Sequence, residues 1–458
     1  MTETIAALSS GLVPSGVAVV RVSGPRAREV CHNLCGRVPK PRVAALTKLR
    51  RPDGRLLDEA LVLFFEGPHS FTGEDTVEFH CHGSRAVVSG LLDEIAKQNG
   101  VRLAEAGDFS AQAFRNGKLD LVQVEGLADL LDATAPAQAD VALGDYVGSG
   151  TLRVLEWSGR LLRVRAEIEA ALDFSDEEDV PDVMFDSLAE QLRYVADQME
   201  LDLSGTMEER LREGFLVAIA GPPNAGKSTL LNRLAGRDAA IVSAEAGTTR
   251  DAIEVPVVLD GLPIRLVDTA GLRDEEEAGT VERLGMQLAE RMMGEADCIV
   301  WLDAAGKDRH VGSVSEYVAY ERVYPDKLIR VRSKSDLLLA IEQDEAAVSG
   351  SDKRLAVSGR TGEGLHGLRS AITSLLLGDS SGQPSGQTRV GTNHRRKAAL
   401  RDAVQHFRSA EDQVVSGGAL DIVAEELRLA QRSLDRIVGK TDVDDVLDSV
   451  FSRFCIGK

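Results

Sequence analysis

The stretch from Leu216 to Leu234 constrains the chain more than any other. An apolar run, Leu216-Val217-Ala218-Ile219-Ala220, enters Gly221-Pro222-Pro223-Asn224-Ala225-Gly226-Lys227-Ser228-Thr229, and Leu230, Leu231 and Leu234 then recur at helical spacing. A strand, a glycine loop and a helix in this order form a phosphate site, because the glycines let backbone amides turn inward at a positive helix N-terminus. Lys227 is placed to reach the β- and γ-phosphates and Ser228 to ligate Mg²⁺.

Downstream residues select the nucleotide. Val267-Asp268-Thr269-Ala270-Gly271 follows a second apolar strand, Ile264 to Val267, which puts Asp268 near the metal and the Gly271 amide near a γ-phosphate. Between the two lies Gly247-Thr248-Thr249-Arg250-Asp251, where Thr249 stands as the switch-loop ligand to Mg²⁺. A strand from Cys298 to Leu302 precedes another from Leu328 to Val331, which runs into Ser333-Lys334-Ser335-Asp336. Asp336 can accept from the guanine N1–H and exocyclic amine, and a backbone amide of Val357-Ser358-Gly359 can meet guanine O6. These elements together predict a GTPase binding GTP and GDP. Ser333 replaces the asparagine usual in N-K-x-D, and Gly359 the alanine usual in S-A-x. Because that asparagine fastens the base loop to the phosphate loop, weakened nucleotide binding is expected.

Leu272 follows Gly271, where many GTPases carry a water-orienting glutamine. A leucine cannot orient water, so a substitute is required. Glu282 is a carboxylate that can hold the attacking water, and a plain surface role fits it equally well.

At 458 residues the chain calls for two to four domains. Residues 1–118 read as α/β, with strands at Ile5 to Leu8, Val17 to Val22, Glu59 to Phe65 and Thr76 to Cys81, and helices at Arg26 to Leu34 and Arg85 to Gln98. Long amphipathic helices fill 119–213 and return at 393–416, 420–437 and 442–454, after a Gly/Ser/Gln/Pro linker at 378–391. The expected architecture is α/β and all-α: an N-terminal α/β domain (1–118), a helical domain in two pieces (119–213 and 379–458) and an inserted Ras-like P-loop GTPase domain (214–378).

A net charge of −20 opposes broad nucleic-acid binding, so any RNA contact must be local. Five cysteines form no paired framework and no segment reads as a signal or membrane span, which predicts a cytoplasmic protein with reduced thiols and no membrane contact. His80-Cys81-His82 reads as a polar strand face in preference to a metal site, since no further ligands stand at metal spacing. Cys31 and Cys35 read as two half-buried thiols. The run His394-Arg395-Arg396-Lys397 reads as a solvated helix end in preference to a phosphate contact.

Motifs along nearly the whole chain resemble the tRNA modification GTPase MnmE (TrmE) family. They include Val20-Arg21-Val22-Ser23-Gly24, Ser70-Phe71-Thr72-Gly73-Glu74-Asp75, Val77-Glu78-Phe79-His80-Cys81-His82-Gly83, the stretch Ala113 to Leu121, and the tail Phe454-Cys455-Ile456-Gly457-Lys458. The resemblance implies an N-terminal domain that dimerises and binds 5,10-methylenetetrahydrofolate or 5-formyltetrahydrofolate near Arg21, Glu78, Lys118 and Lys458. It implies a homodimer that joins the FAD-dependent MnmG in a heterotetramer or larger complex. That complex adds an aminomethyl or carboxymethylaminomethyl group to C5 of the tRNA wobble uridine. The family's water-positioning glutamate falls on Glu282 and its K⁺-ligating asparagine on Asn224, with switch-loop carbonyls near Ala246 and Gly247 completing the K⁺ shell. The tail implies a functional Cys455. Two alternatives stay open: a ribosome-assembly GTPase switch, and a scaffold whose nucleotide domain only signals state.

Overall fold

A computed structural model describes residues 3–173, 182–204, 206–238, 254–268, 291–304, 313–337, 355–378, 389–441, 447, 450–454 and 456–457. In chain order the elements are β1 (Thr4–Leu8), β2 (Ser15–Ser23), α1 (Ala27–Cys35), β3 (Ala45–Arg50), β4 (Leu56–Phe65), β5 (Thr76–Gly83), α2 (Arg85–Ala96), β6 (Val101–Leu103) and α3 (Asp108–Arg115). Five helices follow: α4 (Leu121–Asp132), α5 (Pro136–Tyr146), α6 (Ser149–Asp173), α7 (Asp182–Leu203) and α8 (Thr206–Glu213). Then come β7 (Phe215–Ala220), α9 (Lys227–Asp238), β8 (Glu254–Leu259), β9 (Leu262–Asp268), β10 (Cys298–Ala304), α10 (Ser313–Val323), β11 (Leu328–Ser333), β12 (Leu355–Ala356), α11 (Leu365–Leu377), α12 (His394–Val415) and α13 (Leu420–Val438).

Contacts divide the chain into two units, one of residues 1–128, 144–204 and 393–458 and the other of 129–143 and 205–392. In the first, six strands form a mixed sheet in the order β3-β4-β5-β2-β1-β6. Alternation along β2 and β5 sends Val20, Val22, Val77 and Phe79 into a core shared with Val30 and Leu34 of α1 and Leu91 and Ile95 of α2. Each such side chain contributes about 1.5–3 kcal/mol by leaving water. The four strands read from sequence are present. β3 and β6 escaped notice because β3 alternates Lys48 and Arg50 with its apolar residues, as an edge strand does, and β6 has three residues.

The helical part of this unit is assembled from both sides of segment 205–392. Arg153 of α6 meets Asp202 of α7 at 2.7 Å, and Arg193 of α7 meets Glu411 of α12 at 2.7 Å. α12 and α13 form an antiparallel hairpin whose Gln431 reaches back to Ser158 of α6 at 3.4 Å.

One basic run is corrected here. His394-Arg395-Arg396-Lys397 does open a helix, with Asn393 accepting from the Arg396 amide as its N-cap. Yet Arg396 is fully buried, not solvated. Its guanidinium donates to Glu125 Oε2 at 2.7 Å and Asp145 Oδ2 at 2.8 Å, while Arg395 donates to Glu125 Oε1 at 2.7 Å. Burial alone would raise the Glu125 pKa, but Arg396 and Arg395 outweigh it and hold the carboxyl at about 2.

The second unit is a doubly wound sheet in the order β12-β11-β10-β7-β9-β8. β7 is buried at every residue because helices cover both faces of its parallel neighbours, which is why its sequence is a continuous apolar run. Val217 and Ile219 face α9 and α11, and Leu216, Ala218 and Ala220 face Trp301 and Tyr317. β8 runs antiparallel at the edge, where Pro256 costs no interior ladder bond. Among the described residues no helix is long and apolar enough to cross a membrane.

Candidate functional site

In an open parallel sheet, ligands bind beyond the carboxyl ends of the strands. The carboxyl ends of the parallel strands β7, β9, β11 and β12 share that edge. Gly221 ends β7 with φ +142°, and a Cβ there would collide with the Leu302 carbonyl of β10. Asn224 and Gly226 also take positive φ, so the loop curls over the start of α9. The buried Lys227 ammonium sits inside this curl, donating to the carbonyls of Gly221 at 2.9 Å and Pro222 at 2.8 Å. Ser228 and Thr229 open α9. The Ser228 hydroxyl donates to Asp268 Oδ2 at 2.6 Å, at the end of β9. A hydroxyl and a carboxylate so close supply hard oxygen donors of the kind Mg²⁺ takes.

Beside this loop lies a cavity of about 370 Å³, lined by residues that include Ala225, Gly226, Lys334, Asp336 and Gly359. Asp336 is exposed at its mouth, and the buried Ser358 hydroxyl donates to its Oδ1 at 2.7 Å. Lys334 adopts φ +57°, turning the chain from β11 toward the cavity. Gly359 passes so near α9 that a Cβ would lie 3.2 Å from Thr229 Cγ2. An alanine there would press on the helix, which accounts for the glycine. Sequence reading missed the Ser358 side chain as the group that orients Asp336; its place in the S-A-x element was the available signal. The expected loss of a tie at Ser333 is not what the structure has, because Ser333 Oγ donates to the Ala225 carbonyl at 2.6 Å.

In the first unit Arg21 and Glu78 stand opposite each other on β2 and β5 and pair at 2.9 Å. These charges therefore partner one another. The Arg21 guanidinium lies 5.8 Å from the Phe71 ring centre and 5.6 Å from that of Phe109, two contacts that the charged residues alone did not signal. Lys118 packs against Gly73 in the same loop as Phe71 and donates to the Pro68 carbonyl at 3.0 Å. The chain terminus is laid here too. Ile456 bridges to Ala106, and Gly457, at φ +100°, fits so tightly that a Cβ would collide with the Leu8 carbonyl.

His80 and His82 each face a carboxylate, Glu78 at 3.4 Å and Asp58 at 2.8 Å, and among the described residues no group of three potential ligands stands close enough for a metal. Cys31 is buried and Cys35 half-buried. Ala246, Gly247, Thr249, Thr269, Ala270, Gly271, Leu272, Glu282, Cys455 and Lys458 lie outside the described residues.

A Walker loop closing on its own lysine at the tip of a central parallel strand, with an aspartate-edged cavity beside it, marks a P-loop GTPase. Which GTPase is decided by the rest of the chain. The profile of the MnmE helical domain matches residues 121–455, and that of the GTP-binding protein TrmE N-terminus matches residues 4–118. The tRNA modification GTPase MnmE of Azorhizobium caulinodans is 45% identical, over 100% of this chain and 99% of its own. That of Roseobacter denitrificans is 43% identical over 100% of both. Among solved structures, Aquifex aeolicus Era bound to GDP.AlF4- is 24% identical, covering 42% of this chain and 66% of that one, with a TM-score of 0.29. The chain belongs to the MnmE family of tRNA modification GTPases.

Proposed function

We propose that this GTPase works as a homodimer with the FAD-dependent MnmG, in a heterotetramer or larger cytoplasmic complex. The complex adds an aminomethyl or carboxymethylaminomethyl group to C5 of the wobble uridine, U34, of tRNA. The one-carbon unit comes from 5,10-methylenetetrahydrofolate or 5-formyltetrahydrofolate, held near Arg21, Glu78, Lys118 and Lys458, with Cys455 close by. In the nucleotide site Lys227 neutralises phosphate charge, Ser228 and Thr249 ligate Mg²⁺ with Asp268 behind them, and Glu282 positions the attacking water. Asn224 and the carbonyls of Ala246 and Gly247 hold K⁺, which supplies positive charge where the β–γ bond breaks. The proposed domains are 1–118 for folate binding and dimerisation, 119–213 and 379–458 for the helical domain, and 214–378 for GTP.

The observation that carries the nucleotide half of this reading is the Asp336 carboxylate, oriented by Ser358 at the mouth of the cavity next to the phosphate loop. Mass spectrometry of wobble nucleosides tests the whole. A deletion strain should lack the C5 substituent, and this chain should restore it. Unaltered nucleosides in the deletion strain would favour the ribosome-assembly switch, and restoration by a chain without GTP turnover would favour the scaffold.

A further inference from the structure

Charge is not spread evenly along this chain. Residues 1–118 carry fifteen Lys and Arg against thirteen Asp and Glu, whereas 119–458 carry thirty-eight against sixty. Seven of the fifteen cations pair with carboxylates, as Arg28 does with Glu66 and Arg102 with Asp108. Of the eight that make no ion pair among the described residues, five stand between positions 37 and 50. They are Arg37, Lys40, Arg42, Lys48 and Arg50, and all five are exposed.

These residues follow the outermost strand of the first unit's sheet. The Arg42 amide donates to the Phe64 carbonyl at 2.8 Å, which lays the segment before β3 along the end of β4, and its guanidinium sits over the Phe65 ring. Along β3, Thr47 and Leu49 are buried, so Lys48 and Arg50 project from the opposite face, about 7 Å apart. β3 runs roughly 17 Å at the extended rise, with Arg42 near its start and Arg50 at its end. The acids on the strands and turns beside the row are mostly engaged. Asp53 pairs with Arg55, Glu66 with Arg28, and Asp58 accepts from the His82 amide at 2.8 Å. Glu59 faces Lys48 in the strand register without an ion pair, one acid against the row.

Edge protection explains only part of this pattern. Cations on an outer strand discourage pairing with another sheet, which suits Lys48 and Arg50. The opposite edge shows what protection without a surplus looks like: the cation of β6, Arg102, is neutralised by Glu3 at 2.8 Å and Asp108 at 2.6 Å. Beside β3 three further cations precede the strand, and their mutual repulsion weakens the fold.

We propose that the β3 edge, with Lys40, Arg42, Lys48 and Arg50 as its contacts, docks the ribose-phosphate backbone of the tRNA substrate. This deepens the tRNA-modifying reading and rests on it. A cation without a carboxylate gives up no ion pair on meeting a phosphate, and each contact releases counterions from the RNA, so binding weakens steeply with salt.

The test is equilibrium binding of the full-length protein to a transcribed tRNA with a wobble uridine, from about 50 to 200 mM salt. Lys40→Gln/Lys48→Gln/Arg50→Gln should lower affinity at least about ten-fold and reduce the slope of log K against log salt by about two to three. GTP hydrolysis, melting temperature and size-exclusion elution should not change. The charge-conserving Lys40→Arg/Lys48→Arg/Arg50→Lys should keep the wild-type slope, and Glu59→Gln should tighten binding. A control that removes three exposed cations elsewhere, Arg163→Gln/Arg322→Gln/Arg401→Gln, should bind within about two-fold of wild type. An unchanged slope in the first variant, or an equal loss in the charge-conserving variant or the control, overturns the docking surface while leaving the substrate reading intact. Wild-type protein that shows no salt-dependent tRNA binding overturns both.

Discussion

Ser333 Oγ donates to the Ala225 carbonyl at 2.6 Å, and both residues are buried. The end of β11 is thereby fastened to the phosphate loop, with a short side chain making the tie usually made by asparagine. Removing it leaves a buried carbonyl unpaired and frees the base loop, at about 1 kcal/mol. Ser333→Ala should therefore bind GDP roughly five-fold more weakly in a fluorescent-nucleotide titration. Undiminished affinity would show that the hydrogen bond is structural only.

The proposed nucleotide site assigns base choice to Asp336, whose Oδ1 accepts from the Ser358 hydroxyl. GTP should bind far more tightly than ATP, because adenine presents a lone pair where guanine presents N1–H. Asp336→Asn should weaken GTP binding and favour xanthosine triphosphate, whose C2 carbonyl suits an amide. Ser358→Ala should weaken GTP without any gain for xanthine. Comparable GTP and ATP affinities in the wild type would sink the assignment.

Turnover of GTP should be faster in K⁺ than in Na⁺ at equal ionic strength, and Asn224→Ala should abolish the difference while still binding GDP. Glu282→Ala should bind nucleotide normally and turn over at least about ten-fold more slowly, as expected for loss of a positioned acid/base group. Equal steady-state rates in the two salts would remove the ion from the mechanism, and a fully active Glu282→Ala would remove the glutamate.

Glu125 should make the first unit sensitive to acid. Its folded pKa of about 2 lies below the ordinary glutamate value of 4.5. Its stabilisation is thus fully present above about pH 4.5 and is lost as pH falls toward 2. Chemical denaturation across this window should show a shallower loss for Glu125→Gln than for wild type. At neutral pH, Arg396→Ala should cost about 3–5 kcal/mol, since it removes the fully buried guanidinium that donates to both Glu125 and Asp145 and leaves Arg395 as the remaining cation on Glu125. A variant melting like wild type would mean that the cluster admits water.

The paired charges at Arg21 and Glu78 should matter for folate more than for folding. Both side chains are mostly buried, 22% and 16% exposed, but glutamine keeps an acceptor for the Arg21 guanidinium, so Glu78→Gln should lower the melting temperature only modestly. It should weaken 5-formyltetrahydrofolate binding at least about ten-fold in calorimetry, because the pterin's guanidine-like edge loses its carboxylate. Equal affinity would assign Glu78 to the pair with Arg21 alone.

Local chemistry was legible in the residues themselves. The phosphate loop, its strand and its helix are contiguous, and glycines with forced positive φ leave the same mark in any chain, so Gly221, Lys227, Ser228 and Asp268 could be placed before any fold was known. Long periodic elements such as α12, α13 and β7 were equally plain, because burial on one face or on both imposes a pattern on the sequence. Tertiary structure decided what depends on partners far along the chain. The pairing of Arg21 with Glu78 follows from the register of β2 on β5. The burial of Arg396 depends on Glu125, 271 residues away, and the retained tie at Ser333 on Ala225, 108 residues away. A charge in a sequence has no address until the fold brings its counter-charge to it: local composition pointed to solvent at Arg396 and to a lost contact at Ser333, where the fold supplies a partner.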